Sequence, residues 1–208
     1  MTEQREPSAI SYLIAGRGYL NAMSLLENAL KQGPAKLGFS GSVLETLLGH
    51  GVELIFKAHL LYEAKTTDEL RNFGHNLSKI LEGEFASQLV DPAAEVINRS
   101  NYDYNKQQHE LRHKLTELVL EETLETDPFE VNENDVVNSN QAEEQLRFHI
   151  ELLTMRMGGK PFPARYPVTG YYKQPNFEFI CKTIESFANW LEPRCYDKYK
   201  RDNPLPNR

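Results

Sequence analysis

The chain has 208 residues, 40% of them apolar, which suits one domain with a core of ordinary size. A net charge of -7 and a pI near 5.4 exclude a global basic footprint for nucleic acid, so any such binding must come from a local patch. No apolar run approaches the ~20 residues of a membrane span, and MTEQREPSAI lacks the apolar centre of a signal peptide, so a cytoplasmic protein without membrane contact is expected.

Pro7 and Ser8 open a first helix that runs to about Lys31, with Leu13, Tyr19, Leu20, Met23, Leu26 and Leu30 at three-four spacing. After the loop GPAKLGFSG, Ser42 and Glu45 read as a capping box for a second helix. Leu44, Leu47, Leu48, Val52, Ile55, Ala58 and Tyr62 line one side of it. Thr66 and Glu69 form a second capping box for a short helix that Gly74 interrupts, and Leu77, Ile80 and Leu81 mark a further helical piece. Asp91 and Pro92 cap a polar segment reaching about Leu124. From Glu117 to Asp135 there are eight acids and no base, which reads as a solvated loop. Asn140 and Glu143 start a helix with Leu146, Ile150, Leu153 and Met157 on one face, and Gly158-Gly159 stops it. KPFPARYPVTGYYKQP carries four prolines and cannot be helical. Asn176 begins the last helix, with Ile180, Ile184, Phe187, Ala188 and Leu191 as its buried stripe and Pro193 as its end. No strand pattern or repeat appears, so the fold class is all-α, a helical bundle.

Glu53 and Lys57 stand four apart with the acid first, the favourable order for a helix ion pair. They read either as a solvated surface pair of small energetic weight or, given their apolar flanks, as a partly buried pair that fixes neighbouring helices. His75 follows a glycine at a helix start and reads as a ring holding the turn; an acid-base role needs a partner within hydrogen-bond reach. His109-Glu110-Leu111-Arg112-His113 matches the zinc pattern H-E-x-x-H, in which two histidines share one helix face. Arg112, Lys114 and polar flanks count against a buried cation there, so neither a metal nor a cofactor is expected. Between Arg156 and Lys173 there is no acid, and Arg156, Lys160, Arg165 and Lys173 alternate with Phe162, Tyr166, Tyr171 and Tyr172. Cations beside stacking rings suit a nucleotide or single strand, and ordinary loop packing is the alternative. Gly16-Arg17-Gly18 and Gly158-Gly159-Lys160 lack the spacing of a phosphate loop. Cys181 and Cys195 show no metal spacing; reduced thiols are expected, with a single disulfide as the other reading.

Four pieces in order resemble the HEPN superfamily, the higher eukaryotes and prokaryotes nucleotide-binding helical domains. They are AISYLIAGRGYLNAMSLL, Glu53-Leu54-Ile55-Phe56-Lys57-Ala58, Gly74-His75-Asn76-Leu77, and Arg165-Tyr166-Pro167 before the last helix. The resemblance covers roughly half the chain. It places a single domain over 1–208, with bundle core at about 8–84 and 160–193, an inserted helical arm at about 85–159 and a tail at 194–208. It implies an up-and-down bundle, a homodimer, an RNA or nucleotide ligand, and a partner protein such as a nucleotidyltransferase, in a toxin-antitoxin or defence setting. Many members are ribonucleases with Arg and His separated by four to six residues on one helix. This chain lacks that pair: Arg71 and His75 have three residues between them, and Arg112 and His113 are adjacent. The first functional expectation is therefore a non-catalytic binding module whose ligand meets Arg156, Lys160, Arg165, Tyr166, Tyr171 and Lys173. Glu53, Lys57, Gly74 and His75 are expected to build the scaffold. The alternatives are a divergent ribonuclease using His75 or Arg112-His113, and a zinc-dependent hydrolase using His109 and His113.

Overall fold

The computed structural model describes residues 7–32, 40–82, 88–89, 93, 139–158 and 175–204. Six helices lie among them, and no strand: α1 (Ala9–Gln32), α2 (Ser40–Tyr62), α3 (Thr67–Phe73), α4 (Leu77–Ile80), α5 (Ser139–Gly158) and α6 (Phe177–Asp202). The protein is an all-α helical bundle. No helix is long and apolar enough to cross a membrane among the described residues.

The tightest crossing is between α1 and α2. A Cβ on Gly16 would stand 2.7 Å from Ile55 Cγ1 and 3.0 Å from the Gly51 carbonyl oxygen; one on Gly51 would stand 2.7 Å from Leu20. The pairing of Gly16 with Ile55 and of Leu20 with Gly51 runs in opposite senses, so the two helices are antiparallel. The missing side chains let the backbones meet, and Leu13, Leu20, Met23, Leu48, Val52 and Ile55 fill the flanks. Arg17, between the two early glycines, reaches away to Asn189 at 2.7 Å and Glu192 at 3.0 Å on α6.

Helix α6 covers both. Ile180, Ile184, Phe187, Ala188 and Leu191 are buried, as the periodicity predicts. The helix does not end at Pro193 but continues to Asp202. Pro193 cannot donate its backbone group, yet the turn beyond it is anchored: Cys195 is buried, and Lys198 donates to the carbonyls of Leu61 at 3.1 Å and Tyr62 at 2.7 Å. A lysine on those last carbonyls satisfies the C-terminus of α2 and opposes its dipole. The tail expected from residue 194 is thus part of the bundle as far as Asp202.

Helix α5 also belongs to the core. Leu146, Ile150 and Leu153 are fully buried in one cluster with α1, α2, α4 and α6. Thr154 Oγ1 accepts from the Ser78 backbone at 3.1 Å, and Arg147 donates to the Leu81 carbonyl at 3.0 Å. The bundle core therefore extends into the segment that the sequence pattern sets apart as an insertion, because the apolar face of α5 packs on α2 and α4.

Two cap expectations diverge. Thr66 and Glu69 form the reciprocal box. Ser42 and Glu45 do not start α2, which begins at Ser40. Instead the fully buried Glu45 carboxylate takes Arg156 of α5, with Nε 2.9 Å from both carboxylate oxygens and Nη2 at 2.8 Å. A carboxylate without exposure requires such a partner.

Candidate functional site

Residues Gly49–Lys57 of α2 and the turn between α3 and α4 converge on one carboxylate. Glu53 points inward, with its side chain 6% exposed. Its Oε1 accepts from Lys57 Nζ at 2.6 Å, one helical turn on. The same ammonium donates to the Gly74 carbonyl at 3.0 Å, tying the α3–α4 turn to α2. The second oxygen, Oε2, faces two histidines. His75 Nδ1 lies 2.8 Å from it and His50 Nδ1 3.8 Å. His50 and Glu53 are three apart, so one helix face presents both.

The turn is built for this placement. Gly74 has φ 57 and ψ -128, a conformation that side chains disfavour. Asn76 then caps α4, its side chain accepting from the Lys79 backbone at 2.9 Å. Between this glycine and the cap, His75 is directed back onto Glu53.

An ionised carboxylate only accepts, so the contact with Glu53 is made by an N–H at His75 Nδ1. The His75 ring is 59% exposed. Its edge meets His50 with centroids 6.0 Å apart, and His50 in turn meets Tyr19 of α1 at 5.5 Å. The result is a surface row of three rings over a buried acid-base pair. It offers stacking faces, an oriented imidazole and a carboxylate oxygen shared by two imidazoles.

Glu53, Lys57, Gly74 and His75 are thus brought together, and the ion pair is the partly buried one that the apolar flanks suggest. His50 completes the group, although the sequence reading passed over it. The signal was available as His-x-x-Glu-x-x-x-Lys on a helix. Of the residues expected to meet a ligand, Arg156 is turned inward, only 11% exposed, and bound to Glu45. Lys160, Arg165, Tyr166, Tyr171, Lys173, His109 and His113 lie outside the described residues.

Two further histidines are structural. His59 is buried against Phe187, Trp190 and Tyr62, its Nε2 3.0 Å from the Gln88 side-chain oxygen, and burial lowers its pKa. His149 Nδ1 accepts from the Asn176 backbone at 3.2 Å, and burial beside Phe179 pulls its pKa down to about 4. Both cysteines are free and buried, and burial raises their thiols to about 12 for Cys181 and about 11 for Cys195. They sit fourteen residues apart on α6, roughly 21 Å along the helix, so they cannot bridge to each other. A comparison of the chain with family models, curated proteins and solved structures finds no match.

Proposed function

We propose that the chain is a HEPN-like helical module that binds a nucleotide or single-stranded RNA at the ring row of Tyr19, His50 and His75. The observation that carries this reading is the row itself: two imidazoles and a phenol, linked at 5.5 and 6.0 Å, at the surface above Glu53 and Lys57. Rings so placed stack on bases, each stack contributing ~1–3 kcal/mol, while imidazole nitrogens serve phosphate or ribose oxygens. The convergence of Glu53-Leu54-Ile55-Phe56-Lys57 with Gly74-His75-Asn76-Leu77 supports the family reading, since it gives both pieces a common role. A homodimer is part of the same reading.

Fluorescence anisotropy with a labelled single-stranded RNA and a labelled nucleotide tests it. His50→Ala and His75→Ala each weaken binding at least ~10-fold, the loss of about 1.4 kcal/mol. Equal affinity in the wild type and both variants refutes the site. A second reading, a divergent ribonuclease, has one observation in its favour. His75 has the carboxylate partner that a general base needs, at 2.8 Å. Incubating the same RNA with protein and resolving the products separates the two: cleavage abolished by His75→Ala selects the enzyme, and intact RNA selects the binding module.

A further inference from the structure

From the geometry we infer that His50, Glu53 and His75 form a site for a divalent transition-metal ion of the zinc class, independent of any nucleotide. One ligating atom from each of the three lies within 4.8 Å of the others. A tetrahedral ion with bonds of about 2.0–2.1 Å holds its ligand atoms about 3.3 Å apart. The two separations around Glu53 Oε2, 2.8 Å to His75 and 3.8 Å to His50, straddle that value. Movements of about half an ångström bring both to that value, and the two histidines, whose ligating atoms lie within 4.8 Å, close by at most about 1.5 Å through side-chain rotation.

The donor set selects the ion. Two imidazoles and one carboxylate suit zinc, cobalt or nickel, whereas calcium and magnesium take oxygen ligands. Three protein ligands leave a coordination position open, and the exposed His75 puts that position at the surface. Lys57 stays in place on the other carboxylate oxygen, Oε1, and on the Gly74 carbonyl. It keeps the carboxylate single-toothed toward the ion and fixes its rotamer, the outer-shell role seen around ligating carboxylates. The ion takes the place of the hydrogen between His75 Nδ1 and Glu53 Oε2, and the neutral imidazole that ligates through Nδ1 carries its one hydrogen on Nε2.

The experiment is a Co2+ titration of chelator-stripped full-length protein without a histidine tag, followed by visible absorption and calorimetry, with Zn2+ as competitor. The expected result is one Co2+ per chain with the intense absorption of a low-coordinate site, displaced by Zn2+. Binding weakens at least ~10-fold in His50→Ala and in His75→Ala. His75 is exposed and His50 half-buried, and circular dichroism checks that the variants fold. Should His75→Ala unfold the turn, His50→Ala serves alone: binding weakened at least ~10-fold supports the site, and unchanged binding overturns it. No stoichiometric binding overturns it. So does binding that survives both histidine variants and disappears in His109→Ala/His113→Ala, which locates the ion on the other helix pattern. RNA anisotropy is read separately on stripped protein, so failure of either site assignment leaves the other testable.

Discussion

The two early glycines of α1 should respond to alanine with opposite signs. At Gly16 a methyl group would meet Ile55 Cγ1 at 2.7 Å, the Gly51 carbonyl at 3.0 Å and the Ile55 backbone nitrogen at 3.1 Å. Carbon contacts relax at about 3.5 Å or more. Ile55 can turn its side chain, but the two backbone atoms move only if α1 and α2 separate by roughly half an ångström. Overpacking of this kind costs about 1–3 kcal/mol. Replacing glycine within a helix returns about 0.5–1 kcal/mol. Gly16→Ala therefore destabilises by ~1–2 kcal/mol net. At Gly18 nothing lies within 4 Å of the new Cβ, so only the helix term remains and the protein gains up to ~1 kcal/mol. For a chain of this length these changes correspond to about 2–4 °C per kcal/mol in Tm. Urea unfolding followed by far-UV circular dichroism, at fixed protein concentration, reads both variants directly. Two shifts of the same sign would refute the close α1–α2 approach as the reason for Gly16.

Three other outcomes follow from the burial of charge and thiols. Arg156→Met strands the fully buried Glu45 carboxylate and should cost about 3–5 kcal/mol in urea unfolding, while the double variant Glu45→Met/Arg156→Met recovers most of it; a loss under ~1 kcal/mol for the single change contradicts the pairing. His149 has a folded pKa of about 4 against 6.5 unfolded, so its contribution is fully present above pH 6.5 and is lost as pH falls from 6.5 toward 4. The difference sets an upper bound of about 3 kcal/mol, and His149→Phe should flatten that part of the stability-pH curve; an unchanged slope rejects the assignment. Cys181 and Cys195, with thiols raised to about 12 and 11, should resist a thiol-specific disulfide reagent in the native protein at pH 8 and react on unfolding. Prompt reaction of both without denaturant would show that the α6 face opens readily.

The helices were legible because their apolar stripes, caps and breakers are local. Leu13, Leu20 and Met23 on α1 and Ile180, Ile184 and Phe187 on α6 lie where the three-four spacing puts them. The Thr66 box and the Asn176 start are read from residues three apart. The failures come from long-range partners. Glu45 has the spacing of a cap and the geometry of an ion pair, because its partner stands 111 residues away. Pro193 is a sound stop signal in isolation, overridden by Cys195 and Lys198 docking beyond it. At the candidate site, Glu53 with Lys57 was visible as a helix pair, and Gly74 with His75 as a turn. What no local pattern stated is that a lysine bonded to the Gly74 carbonyl joins them, or that His50 shares the carboxylate.

The position of α6 also has a meaning in time. Its clamps reach back 172 residues to Arg17 and 137 to Leu61. A chain made at ~5–20 residues per second exposes α2 roughly ten seconds before α6 leaves the ribosome. Throughout that interval α1 and α2 can pair through Gly16 and Gly51, yet the edge of His59 still waits for Phe187. Until α6 arrives the earlier helices keep an uncovered apolar flank, so this is the interval most prone to aggregation. Of the described helices, the one made last closes the bundle.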